Sequence, residues 1–190
     1  MRKIPTLFVR DEVNRQLVTD VLAPGCEWVS VGEGVATRKI DGVCVMIRDG
    51  HLHKRYELKP GKSAPSDWEP ADDVDHVTGK QMGWVPVREG DAAKDEDRWM
   101  LEALTNTFGN RHRDGGTYEF VGPKSQGNVE KFEQHALVRH GKEILANAPR
   151  TFEALRGYFT DRDIEGIVFH HEDGRMVKIK KKDFGLKRLQ

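Results

Sequence analysis

Short runs rich in β-branched and aromatic residues, most with turn residues nearby, dominate the hydrophobic pattern of this chain. Seven read as strands: EWVSV (27–31), VATRKI (35–40), VCVMIR (43–48), HLHKRYEL (51–58), GTYEFVG (116–122), EGIVFHH (165–171) and RMVKIK (175–180). The Asp49-Gly50 and Asp173-Gly174 pairs predict two hairpins. Helical spacing is rarer. It predicts one helix from Asp95 to Thr107, with Trp99, Leu101 and Leu104 on its apolar side, and another from Thr151 to Phe159. The prolines, glycines and acids of Gly61 to Lys94 read as a long irregular insertion. There is no repeat or low-complexity tract, and the expected class is α+β, dominated by antiparallel sheet.

The second hairpin allows a finer expectation. With Asp173 and Gly174 as a two-residue loop, Glu172 faces Arg175, and counting back pairs Phe169 with Lys178, Ile167 with Lys180 and Glu165 with Lys182. Glu165, Ile167, Phe169, Lys178 and Lys180 then share one face as a pocket floor. Val168, Val177 and Ile179 form the core face.

A chain of 190 residues is long enough for one domain with a real core. With 33% charged residues and no apolar run of bilayer length, a soluble protein is expected, and the N-terminal apolar stretch is too short for a signal peptide. Two cysteines, Cys26 and Cys44, exclude a disulfide scaffold and a four-thiolate zinc site, which fits a reducing cytoplasm. Cys44, between Val43 and Val45, reads as a core residue. His51 with His53, and His170 with His171, lack a third ligand at metal-binding spacing. The formal net charge is zero, yet the stretch from Gly174 carries Arg175, Lys178, Lys180, Lys181, Lys182, Lys187 and Arg188 against Asp183 alone, which permits a basic surface.

A K-x-D-G string such as Lys39-Ile40-Asp41-Gly42 is expected by chance in roughly one chain in twenty-five of this length, so it decides nothing by itself. Its companions do more. Lys39 in RKIDGV, Arg55 in HKRYEL, Glu119 in GTYEFVG, Glu165 in EGIVF and Lys178/Lys180 in KIK resemble, in identity and order, the signature elements of the covalent nucleotidyltransferases, the superfamily of ATP-dependent polynucleotide ligases and mRNA capping enzymes. IPTLFVRD, TYEFVGPKSQGN and LVRHG are similar to the small stand-alone RNA ligases of the 5′-3′ type.

The resemblance implies a single nucleotidyltransferase (ATP-grasp-like adenylation) domain over 1–190. A C-terminal OB-fold, which DNA ligases and capping enzymes carry, is not expected after Lys180. It implies ATP and Mg²⁺, with Mn²⁺ as a substitute, and RNA ends as partners, with no membrane and no protein partner named. Lys39 would be the nucleophile. Such a lysine must be neutral to attack phosphorus, and its ordinary pKa near 10.4 must fall. The cations Arg55, Lys178 and Lys180 would lower it, and the last two would stabilise the α-phosphate. Glu165 would hold the metal through its water shell. Glu119 would contact ribose, and Arg55 ribose or a 5′-phosphate. Arg38, Ile40, Asp41 and Gly42 would flank the nucleotide, with Arg38 standing where many ligases carry Glu. Phe132, His135 or Phe169 would stack on adenine. Lys124, Arg139, His140, Lys181 and Lys187 would contact RNA. The alternatives are a nucleotidyltransferase acting with GTP or on DNA ends, and a non-catalytic RNA-end-binding module.

Overall fold

The computed structural model describes residues 3–188. Its strands are β1 (Phe8–Arg10), β2 (Val18–Leu22), β3 (Val35–Lys39), β4 (Val43–Arg48), β5 (His51–Leu58), β6 (Glu69–Pro70), β7 (Gln81–Pro86), β8 (Gly116–Val121), β9 (Ala136–Arg139), β10 (Gly166–His170) and β11 (Met176–Lys180). Its α-helices are α1 (Glu27–Ser30), α2 (Asp95–Phe108) and α3 (Phe152–Thr160). The fold is sheet-rich α+β, with antiparallel sheets and few helices, as the pattern predicts. Two compact units divide the chain: Lys3 with residues 41–140, and residues 4–40 with 141–188.

In the unit of residues 41–140, six antiparallel strands run in the order β6-β7-β5-β4-β8-β9. Alternation sends Val45, Ile47, Leu52, Tyr118, Phe120 and Leu137 to one face, where Met100, Ala103 and Leu104 of α2 cover them. Trp99 and Leu101 are only half-buried, so the apolar side of α2 is rotated from the expected one. Lys54 fixes the start of α2, since its Nζ donates to Asp97 Oδ1 at 2.7 Å and Glu96 Oε2 at 2.9 Å. The opposite face carries Cys44, Arg55 and Glu119. Cys44 is therefore not a core residue, because on a strand the neighbours of a core valine point away from the core. The Asp49-Gly50 hairpin forms as expected, with positive φ at both turn residues. The supposed irregular insertion contains β7, paired with β5 from His53 to Leu58; Gly83 and Pro86 within it disguised a strand.

In the other unit, β11-β10-β3 form a three-stranded antiparallel sheet beside the β1-β2 hairpin. EWVSV is not a strand but the one-turn α1, which buries the consecutive Trp28 and Val29. The β10-β11 register differs from the expected one by one residue: Gly166 pairs with Lys180, Val168 with Lys178 and Phe169 with Val177. The loop holds three residues, because the His171 N–H donates to the Arg175 carbonyl at 2.8 Å. A slip of one residue exchanges faces. Ile167 and Phe169 thus join Val177 and Ile179 in the core, with Leu7, Leu155 and Phe159. Phe169, expected at the nucleotide, lies instead on the face opposite Lys178, with the Arg150 guanidinium 5.3 Å from its ring centre.

The strand β3 completes the lysine face. Gly166 pairs with Lys39 on one side and Lys180 on the other; Val168 pairs with Thr37 and Lys178. A Cβ on Gly166 would stand 2.3 Å from the Ile179 carbonyl oxygen. Replacement by alanine therefore forces the central strand apart. Gly166→Ala is expected to lower stability by about 1–3 kcal/mol, several degrees of Tm by thermal denaturation. An unchanged Tm would contradict the close approach.

Candidate active site

Two cross-strand rows build the lysine cluster of residues 4–40 and 141–188. Lys39, at the end of β3, and Lys180, at the end of β11, flank the bare Gly166. Glu165 bridges them: one carboxylate oxygen accepts from Lys39 Nζ and the other from Lys180 Nζ. In the second row, Thr37 Oγ1 donates to the Val168 carbonyl at 3.3 Å and lies 2.9 Å from His170 Nε2. Lys178 completes that row, its strand edge tied to the chain at Pro5 and Leu7 by backbone hydrogen bonds of 2.9 and 2.8 Å. Asp183, 1% exposed, fixes the end of β11, accepting from the Lys180 N–H and from Arg10 Nη1, both at 2.9 Å.

Electrostatics differentiates these groups. Burial alone would raise the Glu165 carboxyl, but the Lys39 and Lys180 ammonium groups outweigh it and hold it below its ordinary value. Lys178 is pushed down to about 8, first by burial, then by the charges of Lys180 and Lys39; Glu165 and Asp183 oppose the shift. Among the described residues no carboxylate pairs with the Lys178 ammonium. Both Glu165 oxygens are taken by ammonium groups, so neither is open to direct coordination of a divalent cation in this arrangement.

The second constellation lies on the helix-free sheet face of residues 41–140. Glu119, 6% exposed, accepts the Gly42 N–H on Oε1 at 3.1 Å, and its Oε2 lies 2.6 Å from His140 Nε2. The Asp41 N–H donates to Glu130 Oε1 at 3.0 Å. Both amides of the turn after Lys39 thus end on carboxylates. A Cβ on Gly42 would come within 2.3 Å of the Phe120 carbonyl oxygen, so the turn requires glycine. Cys44 pairs directly with Glu119 across β4 and β8, and Arg55 hydrogen-bonds Cys44 while lying 5.5 Å from the Trp84 ring centre.

Known proteins match this chain over most of its length. The RNA ligase 1 family model matches residues 111–189, which include Glu119, Glu165, Lys178 and Lys180. RNA ligase 1 of Mus musculus is 25% identical over 266 aligned residues, covering 97% of this chain and 80% of the relative. The Rattus norvegicus protein is 24% identical, covering 97% and 81%, and that of Danio rerio 26% identical, covering 66% and 50%. The matches support an RNA ligase family.

Within this RNA ligase family reading, the residues expected to touch RNA separate. Lys124 and Lys187 are exposed. Lys181 is 2% exposed and donates through Nζ to the Arg162 carbonyl at 2.8 Å; it is a buried structural lysine, not part of a basic surface. Arg139 is engaged by the Tyr118 hydroxyl at 3.1 Å, and His140 by Glu119. Of the adenine-stacking candidates, His135 is buried between Trp99 and Phe120, with Nδ1 3.0 Å from Glu102, and Phe132 is half-buried. Arg38 lies 3.3 Å from Glu143, and Ile40 is buried. Sequence reasoning passed over Gly166, Thr37, Glu130 and Asp183, whose roles come from pairing with distant residues. Among the described residues, no helix is long and apolar enough to cross a membrane.

The Lys178 titration is directly testable. In protein with isotopically labelled methylated lysines, Lys178 is expected to titrate near pH 8. Because its folded pKa is depressed, stability from this group rises as pH climbs from about 8 toward the ordinary lysine value. Glu165→Gln removes a charge that supports the ammonium and should move the midpoint lower still. A Lys178 midpoint at the ordinary value, or a rise in the variant, contradicts this electrostatic picture.

Proposed function

We propose that the protein is an ATP-dependent RNA ligase of the nucleotidyltransferase fold, joining 5′-phosphate and 3′-hydroxyl ends through a lysyl-AMP intermediate. One observation carries the proposal: the Lys39 amine stands in a single row with Lys180, bridged by Glu165 and next to the Lys178 row. Similarity to proteins named RNA ligase 1 supports RNA as the polynucleotide.

The first step forms a bond from Lys39 Nζ to the α-phosphorus of ATP and breaks the bond to pyrophosphate. The proton leaving Nζ has the Glu165 carboxylate within hydrogen-bond reach. Lys178 and Lys180 supply positive charge for the α-phosphate oxygens. A Mg²⁺ ion, reached from Glu165 through water, would offset phosphate charge. In the second step the RNA 5′-phosphate oxygen bonds to the adenylate phosphorus, and the Lys39 N–P bond breaks. In the third, the 3′-hydroxyl oxygen attacks the 5′-phosphate, losing its proton, and AMP departs. Glu119 and Arg55 are assigned to the nucleotide's ribose or the acceptor phosphate by resemblance.

Incubation with α-labelled ATP or GTP tests the reading. Wild-type protein should acquire a covalent, acid-labile label from ATP, and Lys39→Ala should fall to background with its fold intact by circular dichroism. A label from GTP instead would change the nucleotide. Normal labelling of Lys39→Ala would remove the nucleophile, and no label with intact RNA binding would favour the non-catalytic module.

RNA contact is tested through salt. Replacing the exposed Lys124 and Lys187 with alanine should flatten the dependence of log affinity on log salt by roughly 0.7 per lost single-strand phosphate contact, measured by fluorescence anisotropy, with lysine adenylylation little changed. An unaltered slope excludes these lysines from the RNA surface.

A further inference from the structure

We propose that Cys44, Glu119 and His140 form a binding site for a thiophilic divalent cation of the Zn²⁺ type, on the helix-free face of the sheet of residues 41–140. One ligand atom from each residue lies within 4.8 Å of the other two. The topology holds them there: Cys44 and Glu119 are direct cross-strand partners, and His140 follows β9, its N–H donating to the Thr117 carbonyl at 3.2 Å.

The donor set has a chemical preference. One thiolate, one carboxylate and one imidazole match a zinc centre with three protein ligands and an open fourth position. The sulfur selects against Mg²⁺ and Ca²⁺, which take oxygen ligands. Metal bonds of about 2.0–2.3 Å in tetrahedral geometry set ligand atoms about 3.5 Å apart, so side-chain rotation has only about 1 Å to close. The Gly42 N–H already orients Glu119 through Oε1, leaving Oε2 toward His140.

His140 Nδ1 is buried and, among the described residues, has no hydrogen-bond partner; it stays so when Nε2 takes the cation, which limits the affinity. Burial and then the Glu119 charge push the Cys44 thiol up to about 11, against the Arg55 guanidinium, which lowers it. A cation between thiol and carboxylate reverses that repulsion. Cys44 releases its proton to solvent, and the His140 proton resides on Nδ1 while Nε2 binds. Arg55 repels a cation but remains a donor to the sulfur, as an outer partner of the thiolate; the balance predicts moderate affinity. Thiolate and carboxylate neutralise the ion.

Occupancy takes the carboxylate that the proposed function gives to the nucleotide, so zinc should inhibit adenylylation; this consequence alone rests on that reading.

The test uses reduced, chelator-treated full-length protein titrated with Co²⁺. Wild type and Cys26→Ser are expected to show a saturating thiolate-to-cobalt charge-transfer band, one cobalt per chain, bleached by Zn²⁺. Cys44→Ser should show none, and His140→Ala should bind at least about tenfold more weakly. The proposal is overturned by the absence of a band in wild type, by a band that survives Cys44→Ser, or by one lost in Cys26→Ser. In parallel, Zn²⁺ should suppress labelling by α-labelled ATP in wild type but not in Cys44→Ser. If no variant takes up label, the adenylylation reading fails, while the cobalt band still decides the metal site.

Discussion

The Glu165 carboxylate, shared between Lys39 and Lys180 across a residue with no side chain, is the interaction on which the lysine face depends. Three lysines project from adjacent positions of one three-stranded sheet. Like charges this close oppose one another, and burial adds to the cost. One carboxylate with an ammonium on each oxygen offsets much of it. Two of the lysines are thereby oriented, and the third, Lys178, keeps the depressed pKa of an amine that is buried and, after that, left near positive neighbours.

That bridge in turn requires the strand register. Gly166 lies between Lys39 and Lys180 because β10 pairs with both flanking strands, and a side chain there would meet the Ile179 carbonyl. The same one-residue alternation buries Ile167 and Phe169 beside Val177 and Ile179. Core and chemistry are thus two sides of one register, and a slip would exchange them. Residues 41–140 repeat the logic: α2 covers one sheet face, and the other keeps Cys44, Arg55 and Glu119.

How much of this was legible in the sequence follows from the range of each interaction. β-Branched runs and the Asp49-Gly50 turn are local signals, and most strands lie where they were expected. The proximity of Glu165, Lys178 and Lys180 was also legible, because a hairpin brings neighbours in sequence together. Their exact face was not. A three-residue loop in place of a two-residue loop moved Phe169 from the expected pocket to the core. Lys181 looked like one more member of a basic tail, yet its burial depends on the Arg162 carbonyl nineteen residues away. Glu119 and His140 required the pairing of β8 with β9, which no local pattern encodes.

Charge also links the resting arrangement to the chemistry proposed for it. Lys39 is tied to Glu165, a contact that favours the ammonium form over the nucleophilic amine. The same contact places the proton beside an acceptor and the nitrogen at a fixed strand end. An arriving polyphosphate brings negative charge to a face where ammonium groups outnumber carboxylates. Under the proposed function, Lys178 and Lys180 would turn to the phosphate, and Lys178 would gain a counter-charge that opposes the lowering of its pKa by burial and by its lysine neighbours. On that reading, nucleotide binding and lysine protonation would therefore be coupled through the few side chains around Gly166. The cost of holding three lysines together is lowest when the ligand they are suited to is present.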